Sequence, residues 1–298
     1  MTLRALRRST RTRVLSGAVG GLLAVGGVGL GASATAATPP EPTRIRAAAA
    51  ASTVSPSGVA APTASTKHWQ QVISEEFTRP APLGRFAARY PGWAGYDGNR
   101  DTSRDTGRPL AQQGLWSSRT TMSVQDGVLD CRLHTKGVTP QVCALTPTAT
   151  GEWWKGRKYG KYVVRFRADR TPGYKIAWLL WPDSNIWDEG EIDFPEGDLA
   201  GTITGAAHRL GDPEWTPRYF DTRTTMTGWH TATIAWKPGR ITFRLDDRTW
   251  TTTRRSVLPK VRMRWALQAE TRITRRPPAR TTSGHIEIDW VAAYRWRG

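Results

Sequence analysis

Much of this chain is built on a two-residue alternation. Runs in which β-branched and aromatic residues recur at every second position return at short spacing, over 162–168, 229–236, 241–245 and 286–294. Successive side chains of a strand point to opposite faces, so such runs build sheets with one apolar face. Turn chemistry separates them, as in Lys237-Pro238-Gly239-Arg240 and at Asp246-Asp247,. No helical period is sustained and no repeat recurs. About 230 residues of short strands predict one all-β domain, a sandwich of two antiparallel sheets whose concave face forms a cleft.

One strand carries charge. Trp187-Asp188-Glu189-Gly190-Glu191-Ile192-Asp193-Phe194-Pro195-Glu196 sets three acids at Glu-x-Asp-x-x-Glu spacing inside an apolar run. Strict alternation puts Glu191 and Asp193 on one face and Ile192 and Phe194 on the other. It would send Glu196 in with the hydrophobic side chains, where an unpaired charge is costly. One extra residue, a β-bulge, restores the phase. Proline within a strand is confined to edges and bulges, which fits Pro195. The prediction is a kinked strand presenting three carboxyls on one surface.

Like charges stay in a row where a proton is shared or the charge has a task. Two carboxyls about 5–5.5 Å apart suit retaining glycoside hydrolysis and about 6.5–9.5 Å suit inversion. The spacing alone admits both. It also admits a solvated acidic edge, or a divalent-metal site of carboxylate oxygens.

Gly190-Glu191-Ile192-Asp193-Phe194-Pro195-Glu196 resembles the signature of glycoside hydrolase family 16, the laminarinase and β-glucanase family. Further segments resemble that family in the expected order and cover most of residues 68–298: Tyr159 to Ala168, Ala177-Trp178-Leu179-Leu180-Trp181-Pro182, the hairpin from Trp229 to Asp246, and Ile286 to Tyr294. The Trp-Pro-Asp and Phe-Pro-Glu-Gly-Asp contexts are similar to secreted actinobacterial members. The resemblance implies a concanavalin-like jelly-roll β-sandwich and a retaining double displacement, with Glu191 as nucleophile, Asp193 as assisting acid and Glu196 as acid/base. Pro195 stands where the bulged branch of the family often has methionine, which keeps the acid pattern and leaves the substrate open. No cofactor is implied as required. A structural calcium ion away from the cleft is allowed by the family, although no acidic loop forms a recognisable ligand set.

Aromatic faces stack on sugar rings, but tryptophan is also a core residue. Of fifteen tryptophans, Trp178, Trp187 and Trp93 are candidate sugar contacts, while Trp236, Trp290 and Trp296 alternate with core-type residues and are read as buried. His208 matches a family histidine near the leaving-group side, the alternative being a satisfied structural histidine. Gln268 and Glu270 alternate onto one face and resemble polar sugar contacts.

The chain opens with Arg4, Arg7, Arg8, Arg11 and Arg13, then an apolar glycine-rich run over 14–30 and small-residue cleavage candidates at 32–36. This reads as a secretion signal over 1–36. Residues 37–66 read as a disordered Ala/Thr/Pro linker with too little apolar surface to offset ordering entropy. The hydrolase domain is then 67–298. The mature protein is expected to be extracellular, without a membrane span, and monomeric. Cys131 and Cys143 are the only cysteines and in an exported protein are expected to form a disulfide.

The net charge is +18, and +13 without the five signal arginines (18 − 5). A basic surface suits acidic polymers, but the arginine runs sit in turn-like sequence, and no specific nucleic-acid partner is expected. A metal-dependent nuclease lacks a supporting motif. A carbohydrate-binding module would usually have lost one of the three acids. A transglycosylase would keep all of them, and differ only in whether sugar or water takes the intermediate. The expected partner is a β-linked polysaccharide, β-1,3- or mixed-linkage β-1,3-1,4-glucan first.

Overall fold

The computed structural model describes residues 55–148 and 155–298. The expected secretion signal, and the linker as far as residue 54, lie outside the described residues. The described chain begins with β1 (Trp69–Glu75), β2 (Trp93–Ala94), β3 (Leu115–Trp116), β4 (Met122–Gln125), β5 (Val128–Lys136), β6 (Thr139–Val142) and β7 (Ala144–Pro147). It continues through β8 (Gly160–Ala168), β9 (Tyr174–Pro182), β10 (Ile192–Asp198), β11 (Thr204–Ala207) and β12 (Arg218–Asp221). The last strands are β13 (His230–Lys237), β14 (Arg240–Leu245), β15 (Arg248–Thr252), β16 (Met263–Thr271) and β17 (Gly284–Trp296).

These strands form the expected two-sheet jelly-roll sandwich. The outer sheet runs β15-β14-β13-β8-β17-β5-β6-β3, with β1 also on β17 and β4 on β5. The inner sheet runs β12-β11-β10-β9-β16-β7-β2. Pairing is predominantly antiparallel, β3 with β6 being parallel. Between the sheets lies an aromatic core. Phe166 meets Trp178 edge to face at 4.8 Å, and Phe194, Phe220 and Phe243 contact one another at 5.1–5.7 Å. A Cβ at Gly205 would come within 2.4 Å of the Phe220 ring and 2.8 Å of Phe194, so the core passes directly under a strand that only glycine can complete. Cys131 and Cys143 are joined as expected and tie β5 to the start of β7.

The linker reading requires correction over residues 55–66. This segment lies on the outer sheet, where the Trp290 indole N–H donates to Val59 O (2.7 Å) and Ala61 is buried with Val163, Trp290, Ala292 and Tyr294. Ser55 and Ser57 hydroxyls donate to the buried Asp289 carboxylate. Small polar residues order here because the sheet offers an apolar groove and an acceptor to satisfy. Trp290 is thus buried, but under this segment and not between the sheets. Trp236 is in the core as expected, whereas Trp296 is half-buried beside His68 and Trp69.

Candidate active site

The three acids arise on β10. Asp193 pairs with Leu179 of β9, and the next paired residue, Glu196, sits opposite Ala177. Three residues of β10 therefore span two of β9. The same slip appears against β11, where Asp193 faces Ala206 and Glu196 faces Thr204. This is the expected one-residue bulge, and it contains a cis Phe194–Pro195 peptide bond. Ile192 and Phe194 point into the core while Glu191, Asp193 and Glu196 share the cleft face. Gly197, at φ 144°, lets the chain turn away; a Cβ there would lie 2.4 Å from Thr202 O.

All three carboxyls are nearly dry, at 1%, 0% and 4% exposure for Glu191, Asp193 and Glu196. Carboxylates this buried persist only when paired or protonated. Two cations are present. His208 follows β11 and places Nε2 2.7 Å from Asp193 Oδ2 and 3.6 Å from Glu191 Oε2. Its Nδ1 donates to Pro213 O at 2.6 Å. Both ring nitrogens thus face acceptors, which calls for a proton on each. Burial alone would lower the His208 pKa, but Glu191 and Asp193 outweigh it and raise it to about 10. On the other side, the Lys175 ammonium donates to Glu196 Oε1 at 2.8 Å and lies 3.9 Å from Glu270 Oε2. Burial opposes its charge, yet Glu196 and Glu270 hold its pKa above the usual lysine range.

Glu191 is held well above the usual carboxylate range, first by burial and then by Asp193. Asp193 is raised too, by burial, against the opposing pull of His208. When both are ionised, Asp193 Oδ1 has no donor; a single proton held between the two carboxyls supplies one. The Trp187 indole N–H donates to Glu191 Oε2 at 2.5 Å and fixes that oxygen. Glu270 is raised to about 7 by burial, and accepts from Thr102 Oγ1 (3.0 Å) and Gln268 Nε2 (3.2 Å).

These shifts carry a linkage with a definite sign. The folded His208 pKa, about 10, lies above its ordinary 6.5, so its contribution to stability is complete below the lower value and is withdrawn as pH rises through the upper one. Glu191, Asp193 and Glu270 are also raised, so the native state again holds protons that the unfolded chain releases. All act in one direction, since stability falls with pH wherever the folded state binds more protons. The melting temperature is expected to drop from pH 6.5 to about pH 9.5. A series of thermal melts that is flat or rising over that interval would contradict the proton assignment.

The remaining sequence candidates divide. Gln268 lies opposite Ala177 and Glu270 opposite Lys175, so both belong to the acid-bearing face. Trp187 reaches Glu191. His208 is fully buried and spends both ring nitrogens on Asp193 and Pro213 O, which favours the structural reading of this histidine over a direct sugar contact. Trp178 needs correction. Leu179 and Ala177 pair with Asp193 and Glu196, so the residue between them points inward; Trp178 is 2% exposed and belongs to the core. Its near neighbour Trp181 takes the cleft face. Trp93 is likewise buried, 5.8 Å from Phe77, because the glycine-rich segment forms β2 against Pro147 of β7. Lys175 and Thr102 escaped the sequence reading. Lys175 had a signal, as the one charge in the apolar run Tyr174–Pro182.

Glu191, Asp193 and His208 are the one group of three possible metal-ligating side chains among the described residues. Calcium takes six to eight oxygens, whereas this set includes an imidazole nitrogen engaged by Asp193, so it does not fit calcium. The outer sheet carries a pocket lined by Asp130, Arg167, Asp169, His285 and Glu287. Its charges pair among themselves, His285 with Asp130 and Arg167 with Glu287.

A jelly-roll sandwich with a row of buried acids along its inner sheet is the architecture of a glycan-cleaving enzyme. The laminarinase of Flavobacterium sp. UMI-01 superposes with a TM-score of 0.61 at 15% identity, over 76% of this chain and all (100%) of that one. The catalytic domain of an endo-1,3-β-glucanase from Thermotoga petrophila gives 0.58 at 16% identity, over 78% and 100%. The Rhodothermus marinus laminarinase gives 0.57 at 19%, over 78% and 99%. No curated protein matches the sequence. The model of glycosyl hydrolases family 16 matches residues 147–292, which include the whole acid strand and both of its neighbours. Residues 147–292 thus match glycoside hydrolase family 16, which makes the protein an O-glycosyl hydrolase. No helix among the described residues is long and apolar enough to cross a membrane.

Proposed function

We propose that this protein is a secreted, retaining endo-β-glucanase acting on β-1,3- or β-1,3-1,4-linked glucan. The observation that carries the reading is the one-residue slip of β10 against both neighbours, which returns Glu196 to the face of Glu191 and Asp193. In the first step Glu191 attacks the anomeric carbon while Glu196 gives its proton to the departing sugar oxygen. In the second, Glu196 takes a proton from water, which releases the sugar from Glu191. Glu191 attacks as a carboxylate, so the proton it shares must sit on Asp193 at that moment. The His208 imidazolium offsets the negative charge of the pair, and the Trp187 indole holds Glu191 Oε2.

The substrate class is supported by what the structural neighbours are: endo-1,3-β-glucanases and a non-specific endo-β-1,3(4)-glucanase, beside an endo-acting O-glycanase of mucin breakdown. The fold thus accommodates more than one glycan. Export is supported by the basic and apolar start of the chain. The test is a panel of β-1,3-glucan, mixed-linkage glucan, cellulose and agarose, read by product sizing and by NMR of the first-formed anomer. Short oligosaccharides from the β-1,3-containing glucans with the β-anomer appearing first are expected. An α-anomer first would overturn retention, cleavage confined to agarose would overturn the substrate, and products longer than the substrate would assign transglycosylation.

A further inference from the structure

Lys175 is a lysine with a choice of partners. Its direct cross-strand neighbours are Asp198 on β10 and Glu270 on β16. Asp198 is taken by Arg272 at 3.0 Å, out at the surface. The Lys175 ammonium instead runs back along the sheet to Glu196 Oε1, 2.8 Å away, with Glu270 Oε2 behind it at 3.9 Å. Lys175, Glu196 and Glu270 are 8%, 4% and 1% exposed. A buried ion cluster of this kind brings little net stability, because desolvation consumes most of the Coulombic gain and an apolar trio of equal volume does as well or better. Its place at the end of the acid row asks for another reason.

That reason lies in hydrogen-bond polarity. An ammonium only donates, so Glu196 Oε1 must accept. When Glu196 is a carboxylic acid, the oxygen that accepts is the carbonyl, and the proton belongs on Oε2. We propose that Lys175 is the positioning residue of the general acid: it fixes the Glu196 side chain and assigns the transferable proton to Oε2, while Glu270, held by Thr102 and Gln268, balances the ammonium. No group is consumed: the proton that Glu196 gives to the glycosidic oxygen leaves with that sugar and is replaced by one taken from the attacking water. Lys175 itself does not touch the sugar.

The inference rests on Glu196 being the acid/base, so the experiment separates the two claims. kcat/KM, which reports the first step, is measured on the best polysaccharide of the panel and on a dinitrophenyl β-glycoside of the matching oligosaccharide, whose leaving group needs no proton. Glu196→Ala should lose activity on the polysaccharide and keep most of it on the dinitrophenyl glycoside, with azide accelerating turnover. Lys175→Met should follow the same pattern more weakly: a fall on the order of 100-fold on the polysaccharide, near the low end of what general acids contribute, against less than about 5-fold on the activated glycoside, where no general acid is required. Lys175→Arg should recover part of the loss, because a donor is restored. If Lys175→Met does not fold, Lys175→Met with Glu270→Gln removes both charges together and should show the same dependence on the leaving group. Equal losses on both substrates, or none, would overturn the role of Lys175 and leave Glu196 standing. Absence of the pattern in Glu196→Ala would remove both.

Discussion

Glu191→Gln is expected to lower kcat on the order of 10⁴-fold, about 5.5 kcal/mol of transition-state stabilisation, while the protein melts at or above the wild-type temperature. A glutamine oxygen can still accept from the Trp187 indole, as Glu191 Oε2 does. Its amide N–H can donate to Asp193 Oδ1, which has no donor when both acids are ionised. The substitution also deletes a buried carboxyl that burial and Asp193 disfavour as an anion. Folding thus loses nothing, and in the proposed mechanism the reaction loses the atom that attacks the anomeric carbon. The check is kcat on the preferred polysaccharide beside a thermal melt. A fall of less than about tenfold, or 1.4 kcal/mol, would mean that another group is the nucleophile.

Trp178→Ala is expected to cost about 3–5 kcal/mol, the range for truncating a buried large aromatic residue. At roughly 2–4 °C per kcal/mol for a domain of this size, that is a drop of some 6–20 °C in melting temperature. The KM of the folded fraction should not change, because the ring packs on Phe166 between the sheets. A sugar-stacking tryptophan would behave in the opposite way, with KM raised and melting unaltered. Thermal melts and KM on the same preparation decide between the two.

The contrast between these residues shows what the sequence could convey. The bulge was legible because its argument is internal to one strand: Glu196 is out of phase and Pro195 marks the place. The orientation of Trp178 was not, because it depends on how β9 is registered against β10, and a lone strand does not record its partner's register. Nothing within Ala177-Trp178-Leu179-Leu180-Trp181 distinguishes a wall of the cleft from a filling of the core, as every residue there is apolar. His208 was legible as a residue of the site, but its choice of Asp193 as partner was not, since that is set by the pairing of β10 with β11. Trp93 failed because glycines on both sides concealed a two-residue strand. Lys175 was visible as a lone charge, but its importance comes from Glu196, a strand away. Short helical turns at Phe86–Arg89 and Ser118–Thr121 are too brief to leave a period.

The segment over 55–66 alters where the folding unit begins. A protein trimmed at residue 67, the boundary that composition favours, would bare the Trp290 indole and strip Asp289 of the hydroxyls of Ser55 and Ser57. A lone anion would then sit on β17, the strand that joins β8 to β5 in the outer sheet. Such a trimmed version would carry an oily, charged scar on the side opposite its chemistry, and poor solubility there would say nothing about the catalytic groups.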